Sequence, residues 1–182
     1  MDNCNSFWYD WFYVRINCKI MQTFLPSSNF IISAQMLDSK RLNKQILEGY
    51  QILNVLSGQS PTGAWRNHPA VKMWRGHELS LLTYIKAMIA EAKRRGIKTD
   101  KNEDNIQVLF SKVGDSWGGG LPDWFFDEHK LMRVVTTHKA NLFIKDPMYY
   151  AQFQTATASP YNAPCCDTCK YYWVTHEEKV TK

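Results

Sequence analysis

In the segment RLNKQILE, residues 41–48, Arg41, Lys44 and Glu48 recur at three- and four-residue spacing. On a helix that spacing lines two cations and one carboxylate along a single stripe, opposite an apolar stripe through Leu42, Ile46 and Tyr50. Such a stripe can do chemistry: the cations hold phosphates while the carboxylate faces a sugar or base at the bond to be cut. The same spacing also describes a solvated face with one Lys–Glu pair, worth only about 0.3–0.5 kcal/mol. A second group lies in WRNHPAVKMW, residues 65–74, where Arg66, Asn67 and His68 precede a helix start and Trp65 and Trp74 flank it. Helix N-termini attract anions, so this set could grip a phosphate and stack a base. As plain structure, Trp74 is a core residue and Asn67 a cap. A third group, THKANLFIKDP over 137–147, supplies His138, Lys139, Asn141 and Lys145. His138 alone would be a satisfied core histidine; here it has donors on both sides.

Other chemistries find no support. The chain has no GxGxxG, P-loop, GxSxG or HExxH pattern, so dinucleotide, triphosphate, serine-hydrolase and zincin functions lack their motifs. Cys4, Cys18, Cys165, Cys166 and Cys169 are odd in number and sit at the two ends, which suits a reducing compartment rather than a disulfide framework. The CxxC has no second pair to complete a zinc set, so no metal and no cofactor is expected. No stretch approaches the roughly 20 apolar residues of a membrane span, and no signal peptide opens the chain. A cytoplasmic protein is expected, nucleoid-associated or in the host cytoplasm if viral, with no membrane contact. The 22 Lys and Arg against 17 Asp and Glu give a net charge of +5, which favours a polyanionic partner. Part of that excess is local, at Arg66, Lys72 and Arg75 and at Lys93, Arg94 and Arg95. The latter run serves equally as the cationic end of a helix.

These groups need elements to carry them. Periodic apolar residues predict a first long helix from Ser33 to Leu56, stopped at Gly58, and a second from about Pro69 to Arg95. Asn67 or His68 caps the second, Pro69 suits its first turn and Gly96 its C′ position. Residues 97–122 are polar, end in Gly118-Gly119-Gly120, and predict a long connection with one short helical turn. A third helix follows Asp123, with Asp127 near its first turn, and Asp146-Pro147 predicts the N-cap and first position of a last short helix. The expected fold is all-α: one compact domain with two long helices, a third helix and irregular connections. The expected divisions are an extension over 1–20, a helical domain over 21–153, and an irregular tail over 154–182 packed on or beside it. The extension is either an added packing segment or the result of a start codon upstream of Met21.

The order of motifs resembles the pyrimidine-dimer DNA glycosylase family, the phage endonuclease V type, and especially a bacterial branch of it. The resemblance lies in MQTFLP from Met21, LDSKRLNKQILEGYQIL, GAWRNHPAVKMWRGHE and HKANLFIKDPMYY, spanning roughly 21–153. It implies a compact helical domain that binds duplex DNA, extrudes a nucleotide and cuts the N-glycosidic bond of a damaged pyrimidine. It also puts the catalytic glutamate at Glu48 and a DNA-contacting position near Arg41. A flipping enzyme needs phosphate-binding cations and aromatics that fill or stack the vacancy, for which Arg41, Lys44, Arg66 and Trp65 are candidates. Family members use the free amine of the chain start as nucleophile, which permits strand scission. With residues 1–20 in place the nitrogen of Met21 is an ordinary amide, so scission depends on whether Met21 is the true start. Two other functions fit the basic face: a non-catalytic binder of DNA or nucleotides, and an N-glycosidic hydrolase acting on a free nucleoside or nucleotide.

Overall fold

Leu42, Ile46, Ile52 and Leu53 are fully buried along one side of helix α2, Ser39–Leu56, and each contributes about 1.5–3 kcal/mol on leaving water. In the computed structural model, residues 21–165 and 171–176 are described; the expected extension over 1–20 and the cysteines 4, 18, 166 and 169 lie outside them. α2 makes its broadest contact with α4, Glu78–Arg94, which presents Leu81, Tyr84, Ile85 and Met88 to the same core. The crossing is close because Gly49 has no side chain. A Cβ at that position would stand 2.5 Å from Ile85 Cγ1.

Smaller elements close the core around this pair. Helix α1, Phe30–Met36, packs on α4, and α5, Asp100–Val113, packs on α2. The short α3, Pro69–Lys72, also touches α2, while α6, Glu128–Lys145, packs with 3-10 segments at Asp123–Phe125 and Ala151–Ala158. No strand occurs among the described residues, and the all-α expectation holds. Trp74 is completely buried, ringed by Phe30, Tyr84, Trp124 and Phe125, so it is the core residue rather than a stacking platform. Tyr171, Tyr172 and Trp173, from the far end of the chain, are buried in the same core.

Four boundaries differ from expectation, each for a local reason. The helix expected from Ser33 to Leu56 is broken at Leu37–Asp38, because Asp38 turns to cap α2 and accepts the Arg41 N–H at 3.0 Å. The helix expected from Pro69 to Arg95 is two helices. Gly76 turns with φ 79° between them, and the Glu78 carboxylate accepts the N–H of both Gly76 and Gly118 at 2.9 Å. That clamp also fixes the glycine run: Gly118 lies so close to Gly76 O that a Cβ would overlap it. The connection expected over 97–122 holds the 14-residue helix α5, whose polar sequence buries only Ile106 and Leu109. Asp146 is the C-cap of α6 and not the N-cap of a new helix; its Oδ1 accepts the Tyr149 N–H in the following turn.

Cap expectations at the second pair of helices are met by particular atoms. His68 caps α3 by accepting the Ala70 N–H at 3.2 Å, Pro69 opens that helix, and Gly96 has φ 73° after α4. The basic run beyond Lys93 is structural. Arg95 donates to the Leu37 and Gln35 carbonyls at 2.6 and 3.0 Å, satisfying the end of α1, and pairs with Glu91. Hydrogen bonds from Arg94 and Arg95 outweigh burial and hold the Glu91 carboxyl down at about 2.

Candidate active site

Met21 to Leu25 run through the interior without helical structure, so their backbone groups need partners from elsewhere. Buried side chains supply them. The Gln22 backbone lies close enough to the Glu48 carboxylate to favour its charged form. Gln45 Oε1 accepts the Phe24 N–H at 2.7 Å, and His138 Nδ1 accepts the Leu25 N–H at 2.9 Å. The Tyr84 hydroxyl lies 2.9 Å from the Phe24 carbonyl oxygen, and Trp74 Nε1 donates to Thr23 Oγ1 at 3.1 Å. Side chains from several elements thus fix the path of one short segment and bring Met21 beside Glu48.

Glu48 is 6% exposed on α2, which overturns the picture of a stripe lying wholly opposite the core. Burial raises its carboxyl above the ordinary range, opposed by Lys44, Gln45 and the Gln22 N–H. Lys44 Nζ stands 3.4 Å from Oε1, and Gln45 Nε2 donates to Oε2 at 2.9 Å. A pair with one exposed and one buried member differs from the solvated pair that spacing alone allowed, because the acid has little water to fall back on.

Two clefts meet at this carboxylate. The larger, about 540 Å³, is lined by Met21, Lys44, Glu48, Gln51, Asn54 and Trp65 together with small and apolar residues. Ligand pockets span about 300–1,000 Å³, so this one suits a nucleotide-sized group. The smaller, about 250 Å³, sets Lys40, Arg41, Lys44 and Lys145 around Glu48, with Gln22, Phe24 and Tyr171. Four cations around one acid make a cationic rim.

Trp65 is the unusual residue of the larger cleft. Its φ is 71°, in the left-handed region that costs a bulky residue roughly 1–2 kcal/mol, yet it remains 40% exposed. Burial does not repay that strain. Its ring meets His68 edge-on at 5.2 Å, and His68 in turn meets Trp173 at 5.8 Å.

The structure therefore brings together Met21, Arg41, Lys44, Glu48, Trp65 and Lys145. Arg41 is also engaged within the fold, where it pairs with Asp38 at 2.5 Å and its guanidinium lies 5.4 Å from the Tyr150 ring centre. Arg66 and Asn67 are exposed in the turn after Trp65, and the Arg66 carbonyl accepts from Arg75 at 2.9 Å. His138 is corrected from substrate contact to interior support: it is completely buried, and burial pushes its pKa down to about 3, so it is neutral. With Nδ1 accepting from Leu25, its proton sits on Nε2, 2.5 Å from the end of the Gln22 side-chain amide, whose oxygen is the atom that can accept it. Asn141 donates to the Thr137 carbonyl within α6, and Lys139 lies over the Phe153 ring; neither lines the two clefts. Gln45, Gln51 and Asn54 were missed from sequence, where amides on a helix read as solvated positions.

The site thus combines a buried glutamate, a roomy cleft and a cationic rim within an all-α fold. Residues 21–105 match the family model for pyrimidine dimer DNA glycosylase, which supports the resemblance seen in the motifs. The match begins at the pinned segment and covers Glu48, Trp65 and all of α4. No curated protein and no solved structure matches the chain. Among the described residues no helix is long and apolar enough to cross a membrane.

Proposed function

We propose that the chain is a DNA N-glycosylase that removes a damaged or modified pyrimidine from duplex DNA, with Glu48 as the catalytic carboxylate. The observation that carries this reading is the placement of buried Glu48 where the 540 Å³ cleft and the Lys40–Arg41–Lys44–Lys145 rim meet. The rim holds backbone phosphates, and the larger cleft receives an extruded nucleotide, with Trp65 as the stacking surface. Gln51 and Asn54 offer amide donors and acceptors to a base edge.

The reaction breaks the bond between the sugar C1′ and the base nitrogen. The bonding pair leaves with the base, and cationic charge develops on the sugar. A carboxylate beside that charge stabilises it, and preorganised charge in a site with little water is worth more than in bulk solvent. Water then bonds to C1′, and Glu48 accepts its proton. Where Met21 carries a free α-amine, that nitrogen attacks C1′ instead, the sugar ring opens, and the resulting imine permits strand scission. The placement of Met21 and Glu48 in the lining of one cleft supports this second route.

Incubation of the purified chain with duplexes carrying a series of damaged pyrimidines tests the function directly. Formation of an abasic sugar in at least one, with or without release of free base, supports the proposal, and tight duplex binding with no glycosidic cleavage in any would make the protein a non-catalytic binder.

A further inference from the structure

A third pocket, about 240 Å³, lies away from Glu48 and is lined by Lys72, Arg75, His77 and Lys130, with Asp123 as its acid. Lys72 and Arg75 are exposed at the end of α3 and in the turn beyond it, and Lys130 is in the first turn of α6. Some of their capacity is used: Lys130 Nζ stands 3.3 Å from Asp127, Arg75 donates to the Arg66 carbonyl, and His77 Nδ1 lies 3.2 Å from the Gly120 carbonyl oxygen. Lys72 makes no ion pair among the described residues.

Thr175 supplies the independent observation. It lines this pocket, and its Oγ1 is buried with no hydrogen-bond partner among the described residues. A buried hydroxyl without a partner costs about 1–3 kcal/mol, so such an atom calls for an explanation. An anion held by Lys72 and Arg75 would accept its proton. Between this pocket and the larger cleft, Trp65, His68 and Trp173 meet edge to edge, and Val174 and Thr175 follow Trp173 in the chain.

We infer that this pocket is a second phosphate-binding site, which holds a backbone phosphodiester of the same DNA whose reacting nucleotide lies at Glu48. The inference rests on the proposed DNA substrate but not on catalysis. Lys72 and Arg75 provide the charge, and the Thr175 hydroxyl donates a directed hydrogen bond. The DNA footprint is then longer than the catalytic cleft.

The test is the salt dependence of binding to an undamaged duplex, measured on the full chain and on the double variant Lys72→Gln, Arg75→Gln. Each lost phosphate contact flattens the slope of log K against log salt by about 0.9, so the double variant should lose up to about 1.8 and at least about 0.9. Thr175→Val should weaken binding at fixed salt and leave the slope unchanged, since it removes a hydrogen bond and no charge. Lys93→Gln, which breaks an ion pair with Glu103 instead, is the control and should keep the slope. An unchanged slope in the double variant, or an equal change in the control, overturns the inference. Inorganic phosphate that competes with DNA equally well on the double variant and the parent also overturns it. Base release lost in Glu48 variants with these slopes intact would bear on the catalytic reading alone, whereas slopes altered as expected without base release would leave the phosphate site standing.

Discussion

Gln45 Nε2 donates to Glu48 Oε2 at 2.9 Å while Gln45 Oε1 receives the Phe24 N–H at 2.7 Å, so a single amide ties the carboxylate to the segment that begins at Met21. The two ends of this amide cannot be exchanged without placing like partners together. Glu48 accepts only, and the Phe24 N–H donates only.

Gln45→Leu keeps roughly the volume and removes both bonds, together with the one that Oε1 accepts from the Tyr84 hydroxyl at 2.8 Å. The Phe24 N–H is then buried without a partner, which costs about 1–3 kcal/mol. Urea unfolding should show that loss together with reduced turnover. Unchanged stability would mean that the segment is not held through Gln45.

Trp65→Gly relieves the φ of 71° but gives the unfolded chain more freedom, and the two effects oppose each other. Folding stability should therefore change by less than about 1 kcal/mol. Base–aromatic stacking is worth about 1–3 kcal/mol, so DNA affinity should fall roughly tenfold. Wild-type affinity in a titration would remove Trp65 from the binding surface, and a large loss of stability would make it structural.

His138 gives the fold a defined acid sensitivity. Its pKa is about 3 in the folded chain and near the ordinary 6.5 when unfolded, so the unfolded chain binds the extra proton as pH falls. The stabilisation is fully present above pH 6.5 and is lost progressively between 6.5 and about 3, at about 1.4 kcal/mol per unit for this group. His138→Gln should be less stable at neutral pH and flatter from about pH 6.5 to 5 in urea titrations. Since His68 and His176, also lowered by burial, remain in both proteins, the difference between the curves isolates His138. Parallel curves would show that His138 titrates normally in the folded chain.

Much of this arrangement was legible in the sequence, and the failures have physical causes. Leu42, Ile46 and Leu53 announced α2 because a helix buried on one side must repeat every three to four residues, and Glu48 could be placed on it. The apolar period does not stop at Leu37–Asp38, so the break there was hidden; the Asp38 turn is held by Tyr150, 112 residues away, whose hydroxyl accepts the Asp38 N–H. α5 was invisible because a helix that buries only Ile106 and Leu109 leaves little periodic signal. The segment at Met21 was recognisable only by resemblance. Its polar Gln22 and Thr23 are buried against His138 and Trp74, partners that no local pattern can reveal. Arg41, Lys44 and Lys145 converge because α2 and the end of α6 meet, which is a property of packing and not of spacing.

The route of attack depends on the nitrogen of Met21. An α-amine with a pKa near about 7.7–8.0 is a far better nucleophile at neutral pH than an ordinary lysine, and an internal amide is none at all. The 182-residue chain should release a base without efficient strand scission. A protein beginning at Met21 should gain both scission and a covalent DNA adduct after borohydride treatment, which reduces the imine to a stable amine. Equal trapping of both forms would point to another amine, first to Lys44, 3.4 Å from Glu48.

Both routes require the Glu48 carboxylate to stabilise or activate the groups at the breaking glycosidic bond. Glu48→Gln keeps the shape of the side chain and removes its charge. Base release under single-turnover conditions, on a duplex that the wild type processes, measures the consequence. The rate should fall at least about a hundredfold with folding and DNA affinity nearly unchanged. Base release by Glu48→Gln at close to the wild-type rate would contradict a catalytic role for this carboxylate.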